Sequence, residues 1–258
     1  EVSSHALVLN RIDNIDYEAA VFTNLTQDHL DFHKTLENYK NAKEKLFYKT
    51  KSINIFNIDD KVGEEFFNKS LNRDIKTYTY GVEKEADFKA ANIKLYDDRT
   101  EYDLIIDKQK YKVSTPILGN FNVYNTLAAI TTCILLGLSR EDVIKRVQNL
   151  KSVSGRLDKV ENDKNVNIIV DYAHTPDALL NILKSARLFT KNRIILVFGC
   201  GGNRDKAKRP IMGKIAQQNA DISIITSDNP RFEKEMDIIE DILCGIDKTL
   251  DNYFVVQD

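Results

Sequence analysis

Hydrophobic and polar positions along the chain alternate between two periods, and the order of those periods predicts α/β layers over a mainly parallel sheet. Ala19 to Leu25 reads as a buried strand, followed by a polar loop rich in Asp and His. Thr35 to Lys49 has helical spacing, with Leu36, Tyr39, Leu46 and Phe47 on one stripe, and Ile53 to Ile58 is a second strand closed by Asp59-Asp60. From Ile75 to Val113 the runs become short and alternating, which predicts a small antiparallel sheet inserted before the next helix. That helix, from about Asn122 to Leu136, is apolar nearly all round and is expected to be buried; Gly137 ends it. A shorter amphipathic helix runs on to Leu150.

Lys151 to Gly155 is short, polar and Gly-terminated, the best linker candidate, and it predicts two domains, 1–153 and 154–258. A second α/β alternation follows. Val166 to Val170 is a strand, and Thr175-Pro176 supplies an N-cap and an N1 proline for a helix through Leu188. Arg193 to Phe198 is a strand feeding a Gly-rich basic loop. A helix over Pro210 to Asn219, a strand over Ile222 to Thr226, a helix near Met236 to Cys244 and a strand at Phe254 to Val256 complete the pattern.

Composition narrows the function classes. At 42% hydrophobic residues disorder is excluded, and 37 basic residues against 39 acidic ones argue against a nucleic-acid-binding domain. No apolar run reaches the roughly 18 residues of a membrane span, and no signal-peptide pattern precedes the first expected strand. Cys133, Cys200 and Cys244 make neither a disulfide framework nor a zinc pattern, which fits a reducing cytoplasm. No glycine belongs to a GxxxxGK[ST] phosphate loop.

Four clusters could carry chemistry. The loop Thr23 to His33 follows a buried strand and holds Asp28, His29, Asp31 and His33, residues suited to a divalent metal or to acid–base work, or equally to an ordinary capped loop. Lys43 falls on the apolar stripe of its helix, where an ammonium must snorkel out, find an anion, lose its proton or be modified. Gly199 to Pro210 joins a strand to a helix. Its glycines admit a ligand to the backbone, and four basic residues strengthen the anion-attracting field of the helix start. Ser227 to Arg231 also follows a strand; Arg231 could hold a carboxylate bidentately, or the segment is simply a turn.

Taken together, EVSSHAL at Glu1, NLTQDHLDFH, YKNAKEKLF, LGNFNVYN, GRLD, DYAHTPDAL, GCGGNRDKAKRPIMG and SDNPR resemble, in their order, the motif set of the Mur ligases, and specifically the diaminopimelate-adding MurE type. The resemblance implies the later part of a central ATPase domain, a parallel sheet with a small antiparallel sheet, followed by a Rossmann-like C-terminal domain. It places a uridine-nucleotide domain and the phosphate loop before Glu1 and a further motif after Asp258. It implies ATP-dependent amide-bond formation in peptidoglycan precursor synthesis, with ATP and Mg²⁺ as cofactors and UDP-N-acetylmuramoyl-dipeptide and meso-diaminopimelate as substrates. A cytoplasmic bacterial monomer is expected, without nucleic acid and without membrane insertion.

Residue by residue, the resemblance gives Glu1 and His29 to metal ions and makes Lys43 a carbamylated lysine whose carboxylate organises that site. Ser3 and Arg11 match substrate contacts, while Leu9 stands where diaminopimelate enzymes carry glutamine. Asn122 and Asn125 match residues near adenine, and Arg156 and Asp171 match residues that reach the nucleotide, Arg156 facing its phosphates. Arg204 with Asp228, Asn229, Pro230 and Arg231 matches the diaminopimelate site; lysine-adding relatives lack the arginine of this last motif. No role attaches to His174. A metal-dependent hydrolase built on His29, Asp31 and His33, and a non-catalytic ligand-binding fragment, are the competing readings. The first leaves Lys43 and both arginine motifs without a purpose, and the second expects no turnover from this chain alone.

Overall fold

A computed structural model describes residues 1–96, 98–151, 153–164 and 166–257, the side chain of Phe189 excepted. Contacts divide the chain into two units, Glu1–Leu25 with Thr35–Ser152, and Thr26–Lys34 with Val153–Asp258. Ser152, within the expected linker, lies outside the described residues.

The first unit opens with a one-turn helix α1 (Ser4–Val8) and strand β1 (Tyr17–Phe22). The short helix α2 (Leu30–His33) lies in the segment grouped with the second unit. Next come α3 (Leu36–Lys49), β2 (Thr50–Asn57), α4 (Lys61–Ser70) and β3 (Lys76–Gly81). β4 (Phe88–Leu95), β5 (Thr100–Ile106) and β6 (Gln109–Thr115) precede α5 (Asn120–Leu135) and α6 (Arg140–Val147). β1 to β4 pair in parallel, and β4, β5 and β6 pair antiparallel. The antiparallel strands expected between Ile75 and Val113 are present as β4 to β6, but the first segment of that stretch is β3, which pairs in parallel on both sides, so the strands form a single six-stranded sheet.

Ile55, Tyr80, Leu104, Val123 and Leu127 are fully buried between this sheet and α5. β2 also contributes to a second cluster, where the rings of Phe47 and Phe56 lie 4.7 Å apart and that of Phe66 meets Phe22 edge-on at 5.2 Å. Strands buried on both faces read as continuous apolar runs, as β2 does. Helix α4 was not expected. Asp59-Asp60 reads in sequence as the end of a strand, but Asp60 is an N-cap whose Oδ1 accepts from the amides of Val62 and Gly63. Its neighbour Asp59 accepts from the amides of Val82, Glu83 and Lys84 and from the Tyr124 hydroxyl, tying the turn after β3 to α5. The stripe expected on α3 is narrower than its spacing implies: Tyr39, Ala42 and Phe47 are buried, while Leu36, in the first turn, is exposed.

In the second unit, β7 (Asp158–Val160) and β8 (Ile168–Val170) make an antiparallel hairpin. The segment Val166–Val170 was expected to start the second parallel alternation; only three of its residues form a strand, and they pair backward across a short polar connection. The alternation itself is α7 (Pro176–Phe189), β9 (Ile195–Phe198), α8 (Lys208–Asn219), β10 (Ile222–Thr226), α9 (Glu235–Leu243) and β11 (Tyr253–Val256). The three strands are parallel with β10 in the centre. Leu179, Leu183, Met212, Ala216, Ile225, Ile239 and Ile242 form the core beneath the helices. Among the described residues, no helix is long and apolar enough to cross a membrane.

Candidate functional site

Adjacent parallel strands deliver their C-terminal loops side by side, which is where α/β sheets bind ligands. β9 runs into Gly199–Ala207 and β10 into Ser227–Glu233, and the two loops are joined backbone to backbone. The Gly202 amide donates to the Asn229 carbonyl (2.8 Å), Arg231 Nη1 donates to the Gly202 carbonyl (2.7 Å), and the Phe232 amide donates to Asn203 Oδ1 (3.0 Å). Glycine is required at position 202 for proximity: a Cβ there would stand 1.9 Å from the Pro230 backbone oxygen. Arg231 itself adopts φ 52°, a left-handed turn that directs the chain back toward α9.

Sequence reading counted four basic residues in the first loop as one field. The structure corrects this. Lys208 and Arg209 are buried, and the Lys206 ammonium is paired with Glu233 at 2.9 Å. Arg204 is exposed and makes no ion pair among the described residues; exposed Arg231 keeps one guanidinium edge on the Gly202 carbonyl. Two arginines on rigidly joined loops are therefore the cationic pair offered outward. Asp228 and Asn229 are exposed on the same loop, and Pro230 is the backbone against which Gly202 packs.

Arg156 stacks on Tyr172, 5.0 Å from the ring centroid. Asp171 does not present a spare carboxylate there: one oxygen accepts from the Leu157 amide (2.9 Å) and the other from the Ala173 amide (2.8 Å). It thus holds the Arg156 turn against the loop after β8. His174 in that loop has Nδ1 3.0 Å from the Tyr172 carbonyl and Nε2 3.8 Å from Asp28 Oδ2. Burial alone would raise the Asp28 carboxyl, but the bond to His174 and the charge of His29 outweigh it and pull it down to about 2. Asp28 in return raises His174 above its usual value, against its partial burial. His29, at φ 56°, places Nε2 3.5 Å from the same carboxylate.

In the first unit, Glu1 and Arg11 are exposed, and Ser3 caps α1 by accepting from the Ala6 amide. Lys43 is half-buried with Nζ 5.3 Å from the centre of the Tyr39 ring. Asn122 is buried; its Nδ2 donates to the Leu118 carbonyl and its Oδ1 accepts from Asn125. That chain holds the exposed Asn125 side chain through its nitrogen, with no hydrogen bond to its oxygen among the described residues.

Family models match both parts of the chain: the Mur ligase middle domain over residues 1–133 and the Mur ligase glutamate ligase domain over residues 155–258. The chain belongs to the Mur ligase family. It is 52% identical over 258 residues to UDP-N-acetylmuramoyl-L-alanyl-D-glutamate–2,6-diaminopimelate ligase of Clostridioides difficile, covering all of this chain and 53% of that protein. The enzyme of the same description from Clostridium botulinum is 49% identical, with 52% of its length covered. A solved structure of such a diaminopimelate ligase aligns over the whole chain and 53% of its own at TM-score 0.67 and 35% identity. A pseudomurein peptide ligase type C from Methanothermus fervidus, 21% identical, shares the fold at TM-score 0.77 over the whole chain and 55% of its own. The chain spans about half the length of the curated relatives it matches.

Residue types alone did not reveal Arg209, Glu233 or the Asp28–His174 contact. Asp28 and His174 are distant in sequence and carry ordinary loop chemistry, so only the fold joins them.

Proposed function

We propose that the complete protein is an ATP-dependent ligase that adds meso-diaminopimelate to UDP-N-acetylmuramoyl-L-alanyl-D-glutamate in the bacterial cytoplasm. Residues 1–153 are read as the later part of its ATPase domain and residues 154–258 as its amino-acid-adding domain. The observation that carries the reading is the pair Arg204 and Arg231, held on loops joined through Gly202 and Asn229 and lying open to solvent. A diamino acid whose far end is itself an amino-carboxylate gives such a pair a charged group to hold, and lysine offers none there. The names of the relatives at 52% and 49% identity agree with this choice.

The chemistry is acyl transfer. The D-glutamyl carboxylate takes the γ-phosphoryl group and ADP leaves; the diaminopimelate amine then attacks the acyl phosphate, loses a proton, and phosphate departs. Arg156, stacked on Tyr172, would face the phosphates, and Asn125 would hold adenine from the amide fixed by Asn122. Ser3 and Arg11 would contact the muramoyl-dipeptide. Glu1, His29 and carbamylated Lys43 are the candidate Mg²⁺ ligands carried over from the resemblance, of residue types that suit the ion, and Asp28 beside His29 would supply the carboxylate that orients a metal-binding imidazole. Mg²⁺, when bound, would neutralise charge on the transferring phosphoryl group. The test is an amino-acid panel with the complete protein, scored by ATP-dependent tripeptide formation. Turnover with diaminopimelate and not with lysine is expected, and the reverse preference refutes the assignment.

A further inference from the structure

Arg209 has no exposed surface at all, and a buried guanidinium is costly unless well-placed anions surround it. Its partners show what that charge holds together. Nη1 donates to Glu233 Oε2 (2.9 Å) and to Asp241 Oδ2 of α9 (2.8 Å), and Nη2 donates to Glu233 Oε1 (2.9 Å) and to the Gly201 carbonyl (3.3 Å). Nε is buried without a partner in the described structure, so the group is tolerated with a donor unsatisfied. Glu233 is itself a junction: beyond the bidentate grip of Arg209, it accepts from the Lys206 ammonium (2.9 Å) and from the Asn203 amide. Asn203 directly precedes Arg204, and Glu233 stands two residues after Arg231.

We propose that Arg209 and Glu233 form a positioning pair that sets the separation and direction of Arg204 and Arg231, and thereby determines which amino acid the site accepts. The inference rests on the ligase reading above and deepens it. The pair touches no substrate. It acts because Glu233, two residues past Arg231 on its own loop, grips the other loop at Asn203 beside Arg204, while the guanidinium pins that carboxylate to the body of the domain.

The test is steady-state kinetics on the complete enzyme with Arg209→Lys, Glu233→Gln and Asp241→Asn. Charged hydrogen bonds of this kind correspond to about a tenfold change or more in affinity. Arg209→Lys and Glu233→Gln are expected to raise the KM for diaminopimelate at least about tenfold, with the KM values for ATP and the nucleotide substrate within about twofold. Asp241→Asn takes the charge from the α9 partner alone and is expected to move the diaminopimelate KM less than about twofold. If Arg209→Lys does not fold, Glu233→Gln, an isosteric change at a partly exposed position, carries the test. Parallel changes in all three KM values, or an effect of Asp241→Asn equal to that of Glu233→Gln, would overturn the proposal and leave the ligase reading intact. Wild-type enzyme that ignores diaminopimelate would remove both.

Discussion

Replacing Gly202 by alanine tests whether the two arginine loops work as one rigid unit. The added Cβ would lie 1.9 Å from the Pro230 oxygen and 2.6 Å from its carbonyl carbon, both backbone atoms that no rotamer change can move. Ordinary contacts lie near 3.5 Å, so the loops must part by roughly 1.5 Å. Separation breaks the bond from the Gly202 amide to Asn229 and the bond from Arg231 to the Gly202 carbonyl. Overpacking and two lost hydrogen bonds together cost about 2–4 kcal/mol. A displacement above 1 Å in a substrate-positioning group costs roughly a hundredfold in turnover efficiency. The assay pairs thermal denaturation of the complete protein with kcat/KM for diaminopimelate. Gly137→Ala is the control: its φ of 97° strains an alanine, but nothing lies within 4 Å of the new Cβ. That variant should lose about 1–2 kcal/mol of stability and none of its diaminopimelate efficiency. If Gly202→Ala destabilises the protein while its diaminopimelate kinetics match those of Gly137→Ala, the loops are not coupled and the reasoning fails.

Three further outcomes are expected. Asp59→Ala should destabilise the protein by about 2–3 kcal/mol, since three amides and the Tyr124 hydroxyl lose their acceptor. Burial pushes that carboxyl up but those donors outweigh it and hold it below 3.8, so its contribution is present above that value and fades as pH falls through the lowered one; denaturation curves of variant and wild type should converge in strong acid. In metal-free protein, the His174 ring should titrate above 6.5 by NMR, and Asp28→Asn should bring it back; the contact's stability is full below 6.5 and disappears as pH rises through the raised value, so an unshifted His174 counts against it. Protein equilibrated with ¹³C-bicarbonate should show a carbamate carbonyl signal that Lys43→Arg abolishes, and an identical spectrum from the two proteins would refute carbamylation.

What could be read from the sequence follows from how far apart the interacting residues are. β10 was expected at Ile222 to Thr226 and lies there, because alternation and a flanking turn are local signals, and Thr175-Pro176 marked the start of α7 for the same reason. The hairpin of β8 with β7 was missed because strand pairing is not a local signal; the cap of α4 by Asp60 is local and was missed because Asp59-Asp60 reads equally well as the turn that closes β2. The site divides in the same way. The two loops were legible as candidates because each follows a strand end closely, with Gly201-Gly202 just before Arg204 and Pro230 just before Arg231. Arg209 was counted among four basic residues thought to strengthen the anion-attracting field of the helix start. Its anchoring carboxylate lies 24 residues away, past the rest of α8, a strand and a turn. A guanidinium leaves water only where enough acceptors converge on it, and here those acceptors are Glu233, Asp241 and a glycine carbonyl brought together by three separate elements. No local window contains that convergence, so a buried arginine of this kind becomes visible only once the fold has placed its partners.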